Sequence, residues 1–138
     1  KGYGSWGREY SPEYWPQEVG LDRLIKLDKE EDFLGKQAYI DLKDRAPREK
    51  LVVLSVDTPH NADPVGGEPI FSKDGTYVGR VSSGGYSYTT EQGLALGFLK
   101  APFCEAGSEV DVAALGLPHA ARVLSEAPFD PTGQRLRS

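Results

Sequence analysis

From residue 46 onward the chain is a series of short apolar runs cut by glycine and proline, and this pattern fits little besides an all-β fold. Eight of the ten prolines and eleven of the sixteen glycines lie there. The clearest run is Lys50–Asp57, with Leu51, Val53 and Ser55 on one face and Val52, Leu54 and Val56 on the other. Two apolar faces predict a strand covered on both sides. Glu68–Ser72 and Thr76–Ser82 flank Lys73-Asp74-Gly75, and Asp-Gly is a strong hairpin signal because both residues tolerate positive φ. The next glycines, Gly84-Gly85 after Ser82-Ser83, read as a tight turn. Gly93–Lys100, Ser108–Leu115 and Ala120–Glu126 bring the total to about six strands, with Gly116-Leu117-Pro118 as the turn joining the last two. Such short strands would leave exposed edges unless the sheet closes, so a small antiparallel β-barrel is expected.

Residues 1–45 differ. They hold eight basic and ten acidic side chains and both tryptophans. Arg23-Leu24-Ile25-Lys26-Leu27-Asp28 has the apolar density of a strand. Asp32 is placed to N-cap a helix whose apolar positions Leu34, Ala38, Tyr39 and Leu42 share one face. Lys43 and Arg45 suit its last turn, and Pro47 ends it. The expected fold is therefore mainly β, a C-terminal barrel over 46–138 preceded by a short α+β segment over 1–45.

Charge and length narrow the function classes. A formal charge of −5, spread along both halves, argues against a nucleic-acid binder, which needs a basic stripe. No run approaches the ~20 apolar residues that cross a bilayer, so no membrane partner is expected. One cysteine gives no internal disulfide and fits a reducing compartment. The chain opens on Lys1 without a methionine, which points to processing or to a piece of a longer polypeptide.

Most local motifs are weak. Gly2-Tyr3-Gly4-Ser5-Trp6-Gly7 matches GxGxxG, but no strand precedes it and no helical period follows, so the dinucleotide reading fails. His60, Cys104 and His119 lack the close pairing of metal ligands, and no metal site is expected. Nothing lowers the thiol pKa of Cys104. Ser82 and Ser83 lack a Gly-x-Ser-x-Gly elbow, and Glu30-Glu31-Asp32 reads as a helix entry, so no catalytic residue is assigned. The aromatics Tyr3, Trp6, Tyr10, Tyr14 and Trp15 carry more. They either pack an irregular segment onto a neighbouring domain or form a stacking wall for a flat heterocycle.

Several stretches taken together are specific. Gly2-Tyr3, Trp6-Gly7-Arg8-Glu9, Pro16-Gln17-Glu18-Val19-Gly20-Leu21, Lys26-Leu27-Asp28-Lys29 and Asp32-Phe33-Leu34-Gly35-Lys36-Gln37-Ala38 follow the pattern GYxxWGxE…PxEAGL…VKLDK…DFIGRxAL. Val78–Thr89, Gly93-Leu94-Ala95-Leu96-Gly97 and Pro128-Phe129-Asp130-Pro131 continue it in order. The chain thereby resembles the aminomethyltransferase family, which includes the glycine cleavage T-protein and the folate-binding half of dimethylglycine and sarcosine dehydrogenases. Tyr86-Ser87-Tyr88-Thr89 and the Arg135-Leu136-Arg137 ending look closer to the dehydrogenase type.

The resemblance implies a C-terminal, tetrahydrofolate-side region of a FAD-dependent enzyme that passes a one-carbon unit from an oxidised methylamine to tetrahydrofolate. It also implies that FAD, the catalytic aspartate and the pterin-gripping glutamate belong to upstream parts of the same polypeptide, and that the fragment alone is inactive. The implied location is the bacterial cytoplasm or the mitochondrial matrix. The alternatives are a T-protein C-terminal region and a non-catalytic barrel that only packs in a larger assembly. Three residues match folate-site positions of the family. Tyr3 looks like part of the site wall. Arg23 stands where relatives often carry an aromatic. Arg135 is the best match for a ligand-facing Tyr or Arg in the terminal segment, its other reading being a solvated tail cation.

Overall fold

The computed structural model describes residues 1–59 and 62–137. Six strands, β1 (Lys50–Val56), β2 (Pro69–Phe71), β3 (Tyr77–Ser87), β4 (Gln92–Leu99), β5 (Glu109–Ala114) and β6 (Leu117–Val123), close into an antiparallel barrel in the order β1-β4-β3-β2-β5-β6. The expected mainly-β barrel is what forms. Alternation sets the inside: Val52, Leu54 and Val56 of β1, Val110, Val112 and Ala114 of β5, and Ala121 and Val123 of β6 meet Ile70, Val81 and Leu99 in one core. The other face of β1 is half-buried, with Val53 lying under Gly2.

The Asp-Gly hairpin is present, with Ser72 N–H donating to Thr76 and Gly75 at φ +86°. Two turn readings need correction. Ser82 to Gly85 do not turn: β3 continues through them to Ser87, with a bulge between Val81 and Ser83. Gly84 serves close approach, because a Cβ there would lie 2.5 Å from the Pro64 carbonyl oxygen and 2.9 Å from that of Leu94. Between β5 and β6 the turn is Leu115-Gly116, both at positive φ, and Leu117 and Pro118 already pair with Ala114 and Ala113. Leucine in the left-handed region costs energy, so the sequence alone favoured placing the bend one residue later.

The N-terminal segment departs further. No strand forms at Arg23–Asp28; Asp22–Leu24 is one 3₁₀ turn, since the closed barrel leaves no edge for that segment to pair with. The helix, α1, is shorter than expected, Lys36–Leu42, and follows Gly35 in the left-handed region. Asp32 accepts only from the Phe33 N–H among its described partners, so it does not cap the helix. Tyr39 and Leu42 are half-buried while Leu34 and Ala38 are exposed, and neither Lys43 nor Arg45 lies within the last turn. His60 lies outside the described residues.

Candidate functional site

Residues 1–19 form a strap bound to the outside of the barrel by two buried carboxylates and one ring stack. Inward positions of β4 are Gly93, Ala95, Gly97 and Leu99, so Phe98 points outward, yet it is fully buried. Tyr14 covers it, stacked at 4.1 Å and 14°. Arg80 of β3 lies over the Phe98 ring at 5.1 Å, forks onto Glu49 with two 2.9 Å bonds, and donates to the Tyr14 hydroxyl at 2.8 Å.

Glu18 is 1% exposed and accepts from Arg48 Nε and Nη2, from the Arg48 N–H and from the Trp15 N–H. Burial pushes its pKa up, but Arg48 and these donors outweigh burial and leave it lowered. Glu9, also 1% exposed, accepts from the Ser5 N–H at 2.8 Å, the Ser5 hydroxyl at 3.1 Å and the Ser83 hydroxyl at 2.7 Å. Burial again opposes ionisation; the donors from Ser5 and Ser83 prevail and hold Glu9 at about 2. Neither glutamate was legible as buried, because acidic residues in a charged segment normally face water. The signal available was Glu9 as the last letter of the GYxxWGxE pattern.

This strap borders a cleft of about 220 Å³ whose wall is Lys1-Gly2-Tyr3 and whose floor is Ser83-Gly84-Gly85 with Leu94 and Leu96 of β4. Pro128 closes one side. The C-terminal tail returns here: Lys1 pairs with the nearly buried carboxylate of Asp130, whose pKa Lys1 lowers. A Cβ on Gly133 would lie 3.3 Å from the Tyr3 hydroxyl. Arg135, exposed on the 3₁₀ turn Gln134–Leu136, sits over the Phe129 ring at 4.9 Å, and its N–H faces the Asp130 carboxylate.

Tyr3 and the tail segment bearing Arg135 thus meet on the outer face of β1, β4 and β3. Arg23 stands on a different surface, where its guanidinium donates to the Gly20 carbonyl. Its neighbours Leu21, Leu24 and Ile25 line a separate apolar groove of about 360 Å³ with Trp6, Tyr10 and Tyr14. The five aromatics divide accordingly. Tyr10, Tyr14 and Trp15 pack, with Trp15 under Arg48 at 4.7 Å and the Tyr10 hydroxyl accepting from the Gly4 N–H. Tyr3 and Trp6 remain 60% and 85% exposed, which leaves their rings available to a ligand or a partner.

Other candidates stay structural. The Ser82 hydroxyl donates to the Leu96 carbonyl and that of Ser83 to Glu9, a carboxylate whose pKa is held at about 2 and so a poor proton acceptor. Cys104 is buried, and burial pushes its thiol pKa up. The GxGxxG residues bend back through a Trp6–Tyr10 bridge and open no helix.

A model of the glycine cleavage T-protein C-terminal barrel domain matches residues 49–130. The chain belongs to this family. The match begins at the first barrel strand and ends at Asp130 beside Lys1. Dimethylglycine dehydrogenase, mitochondrial, of Rattus norvegicus is 36% identical over 139 residues, covering 99% of this chain and 16% of that protein. Aminomethyltransferase of Natranaerobius thermophilus is 36% identical over 110 residues, covering 78% of this chain and 28% of that one. The crystal structure of glycine cleavage system aminomethyltransferase T from Bartonella henselae shares the fold, with a TM-score of 0.78 at 24% identity, over 90% of this chain and 34% of that one. The chain therefore spans less than a third of either sequence relative, and those relatives are enzymes by name.

Proposed function

We propose that this barrel is the C-terminal, tetrahydrofolate-facing region of a flavin-linked demethylating enzyme of the dimethylglycine or sarcosine type, in which the one-carbon unit released from an oxidised methylamine passes to tetrahydrofolate. The observation that carries this reading is the cleft where exposed Tyr3 meets the glycine floor, with Gly133 of the Arg135-bearing tail beside the Tyr3 hydroxyl. A flat conjugated ring needs an aromatic face and a shallow floor. A Cβ on Gly85 would meet nothing within 4 Å, so the floor there is open. The glutamyl carboxylates of a folate need a cation, and Arg135 supplies a planar fork. About 220 Å³ is below the usual 300–1,000 Å³ of a complete small-molecule pocket. The cleft fits one wall of a folate site, with the remainder supplied by other parts of the polypeptide.

The rest of the reading follows the same division. Residues 1–45 belong with a folate-binding domain and 46–138 with the barrel. Trp6, Leu24 and the groove between them face preceding domains of the same polypeptide, since the relatives carry several times this length of chain. FAD is held in those domains, and the 138-residue chain by itself neither oxidises amines nor transfers one-carbon units. The rat relative is named as mitochondrial, which supports a matrix location for a eukaryotic parent and the cytoplasm for a bacterial one.

The test is a titration of the longer polypeptide with tetrahydrofolate, comparing the parent with Tyr3→Ala. Weaker folate binding with unchanged amine oxidation is the expected result. Equal dissociation constants would instead favour a barrel that only packs in its assembly.

A further inference from the structure

Glu9 is an unusual group to find within hydrogen-bond reach of a ligand cleft without facing it. One oxygen holds the Ser5 amide and hydroxyl, and the other holds Ser83. Ser5 lies two residues after Tyr3 and its carbonyl opens the turn that closes at Tyr10, and Ser83 begins the cleft floor. No other described side chain bridges these two pieces of backbone. The fit around Glu9 is tight: a Cβ on Gly4 would lie 2.6 Å from the Glu9 Cβ and about 3 Å from the Tyr10 ring, whose hydroxyl accepts the Gly4 N–H. The Gly4–Ser5 backbone just after Tyr3 is therefore pressed onto Glu9 from one side while Ser83 holds Glu9 from the other.

We propose that Glu9 is a positioning residue, which fixes the Tyr3-bearing wall against the Ser83–Gly85 floor and so sets the width at which the cleft grips a flat conjugated ligand. The inference rests on the folate reading of that cleft. Three charge-assisted bonds from two separate segments converge on one buried carboxylate, which makes their separation a fixed distance rather than an average over rotamers. Residues that act through geometry in this way change binding without touching the ligand.

Two variants test it. Glu9→Gln replaces the shared acceptor by an amide, and Ser83→Ala cuts the link to the floor while leaving the Ser5 bonds in place. In the 138-residue chain, amide hydrogen exchange at Gly4 and Ser5 is expected to rise at least tenfold in Glu9→Gln and by a smaller factor in Ser83→Ala. Protection at Val52 and Leu54 in the barrel should persist in Ser83→Ala. In the longer polypeptide Glu9→Gln should raise the tetrahydrofolate dissociation constant about tenfold while leaving the rate of amine oxidation unchanged. Unchanged exchange at Ser5 in both variants would overturn the positioning role. A loosened wall with unchanged folate affinity would also overturn it, provided Tyr3→Ala weakens binding. If Tyr3→Ala itself has no effect, the folate reading of the cleft falls, and the role of Glu9 in setting its width falls with it.

Discussion

Replacing Glu9 by glutamine should destabilise the chain in a way that disappears in acid. An ordinary glutamate titrates near 4.5, whereas Glu9 is held at about 2. The difference corresponds to about 3 kcal/mol favouring the ionised side chain in the folded state. Glutamine resembles the protonated form, so Glu9→Gln should lose about 3 kcal/mol at pH 7, a fall of roughly 10 °C in melting temperature for a chain of this size. The sign follows from the direction of the shift. A carboxylate that titrates lower when folded contributes fully above its unfolded pKa, and the contribution drains away as pH falls from 4.5 toward 2. By pH 3 about 1–2 kcal/mol of the gap should remain. Urea titrations of both proteins followed by circular dichroism, at pH 7, 5 and 3, measure the gap directly. Coincident midpoints at pH 7, or a gap that stays constant down to pH 3, would refute the assignment of Glu9 as a buried, hydrogen-bonded carboxylate.

Three other outcomes are expected. Gly84→Ala should cost about 1–3 kcal/mol, because its Cβ would press on the Pro64 backbone oxygen at 2.5 Å; a thermal melt within a degree of the parent would show that the strand yields there. Tyr14→Phe should keep the stack on Phe98 but lose the bond from Arg80, for about 1–2 kcal/mol, measured by urea denaturation. Arg135→Ala should weaken tetrahydrofolate binding by about tenfold in the longer polypeptide without slowing amine oxidation, as read by titration.

The barrel was legible because its core is local pattern. Lys50–Asp57 alternates residue by residue, and Asp74-Gly75 bends where its φ preferences demand. What failed were positions whose residue type serves a long-range purpose. Gly84-Gly85 has the composition of a turn, but the glycine at 84 is required by a loop passing across the strand, which only the folded chain reveals. Leu24 and Leu34 suggested buried faces, yet at 64% and 103% exposure they lie open. The same holds for the site. Tyr3 and Arg135 were singled out through motifs; Tyr3 lines the cleft on the outer face of the barrel and the tail before Arg135 passes beside it, whereas Arg23 lies elsewhere. Glu9 and Glu18 went unassigned because burial of a carboxylate depends on donors distant in sequence, Ser83 and Arg48.

Helix α1 has seven residues and none of them is buried. A helix of two turns has little intrinsic stability in water, well short of the ~12–15 residues at which isolated helices begin to persist. Its described bond to the strap is Gln17 to the Leu42 carbonyl, while Lys36 bonds only the Lys29 carbonyl within the arm itself. The free energy for opening this arm is accordingly close to zero, while that for opening the barrel approaches the global value. The chain carries two widely separated tiers of stability, and a protease at low dose should clip first between residues 29 and 45, releasing a barrel that still melts cooperatively.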